Sequence, residues 1–149
     1  MCDSYRKGKE TFESGYFCAE SVVKVIAEQE GIVSDFIPGI ATGFCAGIAR
    51  TCNICGAVTG GVLALNLVYG RQSKQESVDD NYLAVQQFVT QFTAEFNSTN
   101  CQELLGCDLG TEAGQAHFKN NKLRKNCAVF TGKATEIVRG ILDQGRRVS

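Results

Sequence analysis

The sequence predicts an all-α protein, a compact helical bundle with a buried Gly/Ala-rich central helix and a Gly-rich loop that carries cysteines. Three observations predict it. A single proline, Pro38, interrupts the 149 residues. The alternation of β-branched residues that marks strands is missing nearly throughout, and apolar residues recur instead at the three-to-four spacing of helices. With 44% hydrophobic residues, a chain of this length buries roughly 70% of the surface its unfolded form exposes, so residues 1–149 read as one domain with one core.

The first periodic segment is 18–30, where Cys18, Val22, Val25, Ile26 and Gln29 form a stripe and Glu20, Lys24 and Glu28 face away. Gly31 is placed to end that helix. Residues 32–54 read as an irregular connection around Pro38-Gly39 and Gly43-Phe44-Cys45-Ala46-Gly47, and a connection that long in a compact domain is functional or partly helical. Residues 55–69 are apolar with few charges and read as the buried central helix. Gly56, Gly60 and Ala64, with Ala57 and Gly61 beside them, give it a smooth face that another backbone can approach, which also leaves room for a helical homodimer. Each glycine costs about 1 kcal/mol in helix propensity, which packing must offset.

Residues 78–97 form the longest amphipathic helix, with Tyr82, Val85, Phe88, Val89, Phe92 and Phe96 on one stripe. A short helix at 101–105, a polar loop to about 125 and a last helix over 126–144 complete the chain.

Charge and hydropathy exclude two partner classes. Fifteen basic and 16 acidic residues are scattered evenly, leaving no electrostatic footprint for nucleic acid, and no run of ~20 apolar residues could insert into a membrane. The basic stretches Lys119–Lys125 and Arg146–Arg147 read as solvated helix ends. The residues Met1–Arg6 lack the apolar segment of a signal peptide, so the expected location is cytoplasmic.

That location bears on the eight cysteines. Cytosolic thiols stay reduced, and a chain this long does not need cross-links, so a disulfide framework is not expected. Position singles out four. Thr99 with Gln102, or Asn100 with Glu103, can form a capping box that puts Cys101 in a first helical turn. Asn126 is a good N-cap directly before Cys127, Thr51 or Asn53 can cap the central helix at Cys55, and Cys18 opens the helix ending at Gly31. Unpaired N–H groups at a helix start favour thiolates and bound anions alike. Four such coincidences point to one shared site of Cys18, Cys55, Cys101 and Cys127, for redox chemistry or for metal binding.

Cys52-Asn53-Ile54-Cys55 is a C-x-x-C, a spacing used by thiol–disulfide catalysts and by zinc and iron–sulfur ligands. Gly56 after it excludes covalent haem, which needs a histidine there. The sole histidine, His117, is expected in a polar surface loop. Cys2, Cys45 and Cys107 have no partner at a recognisable spacing.

Together, Gly15-Tyr16-x-Cys18, Gly43-Phe44 leading into Cys55-Gly56-Ala57-x-x-Gly60, Cys101-x-x-Leu104-Leu105-Gly106 and Cys127 resemble the C_GCAxxG_C_C family of redox-active proteins over nearly the whole chain. A similar module is present in split-Soret cytochromes, where related cysteines are associated with an iron–sulfur centre. The resemblance implies ligation of an iron–sulfur cluster, such as a two-iron one, by Cys18, Cys55, Cys101 and Cys127, with electron transfer to a redox partner protein, or redox sensing, as the function. Two departures stand out: Phe17 replaces an asparagine frequent in the family, and Cys45 and Cys52 occupy a loop usually rich in glycine. Two alternatives stay open, a cofactor-free thiol–disulfide oxidoreductase with Cys52 and Cys55 as its catalytic pair, and a structural zinc–thiolate module.

Overall fold

Glycines decide how closely the middle of this chain can pack. The central helix forms at Gly56–Tyr69, and its small residues bring neighbours to backbone contact: a Cβ on Gly60 would lie 2.7 Å from Ala19 Cα, and one on Gly61 would run into the Phe88 ring. The computed structural model describes residues 2–148; the side chains of Cys2, Arg147 and Val148 lie outside the described residues. In order, the elements are α1 (Cys2–Glu13), α2 (Cys18–Gln29), a 3₁₀ turn (Gly39–Phe44), α3 (Cys45–Arg50), α4 (Gly56–Tyr69), α5 (Asp79–Phe96), α6 (Cys101–Leu105), α7 (Glu112–Asn120) and α8 (Arg124–Val148). Among the described residues the only β feature is an isolated antiparallel bridge between Ile54 and Asn100. The fold is all-α, and no helix of the described residues is long and apolar enough to cross a membrane.

Helix α4 lies at the centre, flanked by α2, α5 and α8. The core joins Val22 and Ile26 of α2, Ala57, Val58, Ala64 and Leu65 of α4, Phe88 and Phe92 of α5, and Phe130, Ala134, Ile137, Val138, Ile141 and Leu142 of α8. The α8 positions recur at helical spacing, so burying this stripe fixes the rotation of the helix. An aromatic chain links α5 to α8, with ring centroids 4.9 Å apart for Phe92 and Phe96 and 4.8 Å for Phe96 and Phe130 in an edge-on pair. Tyr82, expected on that stripe, is exposed in the first turn of α5 instead. The small-residue face of α4 packs within the chain, Gly56 and Gly60 against the start of α2 and Gly61 against Phe88 of α5.

Two helices escaped the sequence reading. Helix α1 carries one large buried apolar residue, Phe12, and docks on α8 through a seam of small residues, Gly8 against Thr131 and Thr135 and Gly132 against Tyr5, which hydrophobic periodicity does not register. Helix α7 replaces part of the polar loop; the Thr111 hydroxyl caps it by accepting from Gly114 N–H at 2.9 Å. The last helix starts at Arg124, so Asn126 lies inside it and is no N-cap.

The segment between α2 and α4 is mostly turns, as expected, and one of them is wound left-handed. Ala46, Gly47, Ile48, Ala49 and Arg50 of α3 all have φ between 51° and 67°. For residues other than glycine this costs roughly 1–2 kcal/mol each, so the surroundings must hold the turn. They do so through Gly47 O, which accepts from Asn53 N–H at 3.0 Å, and through the Thr51 hydroxyl, which donates to Ile48 O at 2.6 Å.

Candidate functional site

The helix starts converge because short backbone bonds tie them together. Cys55 caps α4, in place of the expected Thr51 or Asn53, and its N–H donates to Thr99 O at 2.7 Å; Cys101 N–H returns the bond to Asn53 O at 2.9 Å. The Asn100 side chain caps α6 by accepting from Glu103 N–H at 3.0 Å, and its amide nitrogen donates to Cys52 O at 2.9 Å. This clamp sets the starts of α4 and α6 side by side. Gly47 closes on the same place: a Cβ there would lie 3.1 Å from Cys101 Sγ.

At the start of α2, Glu20 accepts from Phe17 N–H at 3.0 Å with one carboxylate oxygen and from the Thr42 hydroxyl at 2.6 Å with the other. Cys18 is thereby held beside the 3₁₀ turn that leads to Cys45. Cys127 comes from the first turns of α8.

The result is a cavity of about 500 Å³ lined by Cys18, Cys55, Cys101 and Cys127, joined by Cys45. Apolar walls come from Phe12, Leu104, Leu105 and Phe130, and Arg50 and Arg124 stand at its edge. Arg124 lies over the Phe12 ring at 4.6 Å and donates to Phe12 O at 3.2 Å. The seven described cysteines are all free thiols. Cys45 was singled out by no spacing in the sequence; only the 3₁₀ turn brings it here.

Burial overrides the helix starts in setting the thiol chemistry. Loss of solvent pushes Cys55 up to about 12, although the N–H groups of Ala57 and Val58 and the capping position pull the other way. Cys127 is pushed up to about 12 by burial, with the neighbouring Cys55 and Cys101 adding to it and the Arg124 guanidinium opposing it. Cys101 rises to about 11 for the same first reason. Cys45 is raised well above the thiol range, first by the neighbouring Cys18 side chain and then by burial, and its thiol donates to Ala41 O at 3.7 Å. At Cys55 and Cys101 desolvation thus outweighs the helix start that was expected to favour the thiolate.

The two ends of the C-x-x-C have different surroundings. Cys55 lines the cavity, whereas Cys52 does not; the Asp108 carboxylate beside it raises the thiol, and the thiol in turn lowers the acid. Cys107 is buried beside Asp108. His117 is exposed on α7, consistent with a surface role. Among the described residues, no three His, Cys, Asp or Glu side chains are gathered as a site for a single metal ion.

A buried set of thiols in an apolar cavity can hold a thiophilic metal centre or exchange electrons among its own sulfurs. The model of one family, described as "Putative redox-active protein (C_GCAxxG_C_C)", matches residues 16–141. No curated protein and no solved structure matches the chain.

Proposed function

The chain belongs to the C_GCAxxG_C_C family of redox-active proteins, and from that premise we propose that it transfers electrons, or senses redox state, through an iron–sulfur cluster held by Cys18, Cys55, Cys101 and Cys127. One observation supports this above the others: these four thiols, from four separate helices, line the same cavity. The cavity, about 500 Å³, leaves room for a cluster among these sulfurs.

When bound, such a cluster supplies one-electron chemistry. The chain's own residues do the rest. Cys18, Cys55, Cys101 and Cys127 give up their thiol protons on ligation, so loading grows stronger as pH rises. The Ala57 and Val58 N–H groups beside Cys55 and the Arg124 guanidinium beside Cys127 favour anionic sulfur and raise the potential of whatever the thiolates hold. Phe12, Leu104, Leu105 and Phe130 keep water away from the sulfurs. Free thiols suit a reducing compartment such as the cytoplasm, and a separate redox protein would deliver or accept the electron.

Iron and acid-labile sulfide, measured on protein purified without oxygen, test the reading. A brown protein with iron and sulfide in comparable amounts supports it. Zinc alone, or fully alkylatable thiols with no iron after reconstitution, would overturn it.

A further inference from the structure

Cys45 stands outside the four-thiol set, yet the fold presses it against a member of that set. The Cys45 thiol donates to Ala41 O at 3.7 Å inside the 3₁₀ turn, and the neighbouring Cys18 side chain is the first cause of its raised pKa. Gly56 reports the same convergence independently: a Cβ there would overlap the Cys18 sulfur and stand 3.1 Å from Cys45 Cα. Cys18 and Cys45 are 8% and 4% exposed and line one cavity. The contact is built into the backbone, because the bonds from Thr42 and Phe17 to the Glu20 carboxylate hold the turn before Cys45 against the start of α2. With the Cys18 sulfur and Cys45 Cα both against Gly56, the two side chains can reach the ~2.05 Å of a disulfide without a rearrangement of helices.

We propose that Cys18 and Cys45 form a reversible disulfide that removes Cys18 from the four-thiol set, so that the protein carries a thiol lock on its own cluster loading. The consequence for loading rests on the ligand reading given above; the bond itself does not.

The oxidant is a low-molecular-weight disulfide, which can enter where exposed Phe17, Thr42 and Arg50 rim the cavity. One of the two protein sulfurs, as thiolate, attacks a sulfur of the small disulfide; a mixed disulfide forms and one small thiolate leaves. The second protein sulfur attacks the first, the Cys18–Cys45 bond forms, and the second small thiolate leaves. The two protein thiols lose two electrons and two protons, and the small disulfide gains both to become two thiols. Excess small thiol reverses the sequence.

The test treats metal-free, reduced protein with oxidised glutathione, blocks remaining thiols by alkylation and maps bridged peptides by mass spectrometry. The same samples are then offered iron and sulfide without reductant. A Cys18–Cys45 bridge is expected in the parent protein, with iron loading reduced at least about tenfold, the loss that follows removal of even a supporting partner of a metal ligand. Reduction should restore loading. Cys45→Ser and Cys45→Ala should form no such bridge and load iron whether or not they met the oxidant; using both guards against one failing to fold. Bridges confined to other cysteines, full alkylation of Cys18 and Cys45, or loading that survives a mapped Cys18–Cys45 bridge would each overturn the proposal. Reduced parent protein that never loads iron while the bridge still maps would remove the cluster, and with it the lock, but leave the disulfide standing.

Discussion

Gly60 of α4 and Ala19 of α2 meet backbone to backbone: a Cβ on Gly60 would stand 2.7 Å from Ala19 Cα and 2.9 Å from Ala19 O. Because Cys18 adjoins Ala19, this contact also sets how near the start of α2 comes to the start of α4.

Gly60→Ala is therefore expected to destabilise the protein. Alanine gains up to ~1 kcal/mol in helix propensity, but its methyl group meets main chain that cannot turn aside, and overpacking of that kind costs about 1–3 kcal/mol. Gly140 of α8 is the contrast, since a Cβ there has open space; Gly140→Ala should stabilise by about 0.5–1 kcal/mol. Urea denaturation compares the two. A Gly60→Ala protein as stable as Gly140→Ala would show that α2 can move away from α4.

Serine scanning separates the ligand set from the remaining thiols. Cys18→Ser, Cys55→Ser, Cys101→Ser and Cys127→Ser should each lower iron retention at least about tenfold, while Cys107→Ser should retain iron like the parent. Iron content after reconstitution and desalting is the measurement. Normal loading in any one of the four variants takes that residue out of the site.

Metal-free protein should lose stability in alkali. Burial holds Cys55 and Cys127 at about 12 and Cys101 at about 11 in the folded chain, whereas unfolded thiols titrate near ~8.5. The folded state thus keeps protons that the unfolded state gives up. This contribution is fully present below about pH 8.5 and disappears as pH rises through 11–12, by up to about 1.4 kcal/mol per pH unit for each thiol. Urea midpoints of the reduced protein at pH 7.5 and 10 should differ more for the parent than for a Cys101→Ala/Cys127→Ala variant. Equal losses in both would assign the effect to other groups.

Asp108 controls Cys52. With the Asp108 carboxylate beside it, Cys52 is held above the ordinary thiol range; Asp108→Asn removes the charge and should speed alkylation of Cys52 at pH 8, read by peptide mass spectrometry. Cys52→Ser should leave iron loading unchanged. A ready Cys52–Cys55 disulfide in the parent would instead favour the thiol–disulfide oxidoreductase.

Much of the frame was legible because it depends on neighbours in sequence. The Asn100 cap before Cys101 is a local pattern, and the structure uses it through Glu103 N–H. Gly31 ends α2 with φ at 70°, a conformation glycine adopts without strain. The glycines of α4 announce a close backbone approach, although not that α2 makes it. Helix α1 stayed hidden because its contact with α8 consists of small and polar side chains.

By itself the sequence determined the all-helical architecture, the central glycine-bearing helix and the placing of Cys18, Cys55 and Cys101 at helix starts, since periodicity and capping act over a few residues. Tertiary structure alone decided three matters that depend on distant segments. The left-handed turn from Ala46 to Arg50 runs against local preference and is kept by bonds from Thr51 and Asn53. Cys45 meets Cys18 because Glu20 binds Thr42 across the intervening loop. Cys55 stays protonated because the packed helices strip water from it, and that desolvation exceeds the pull of the helix-start N–H groups.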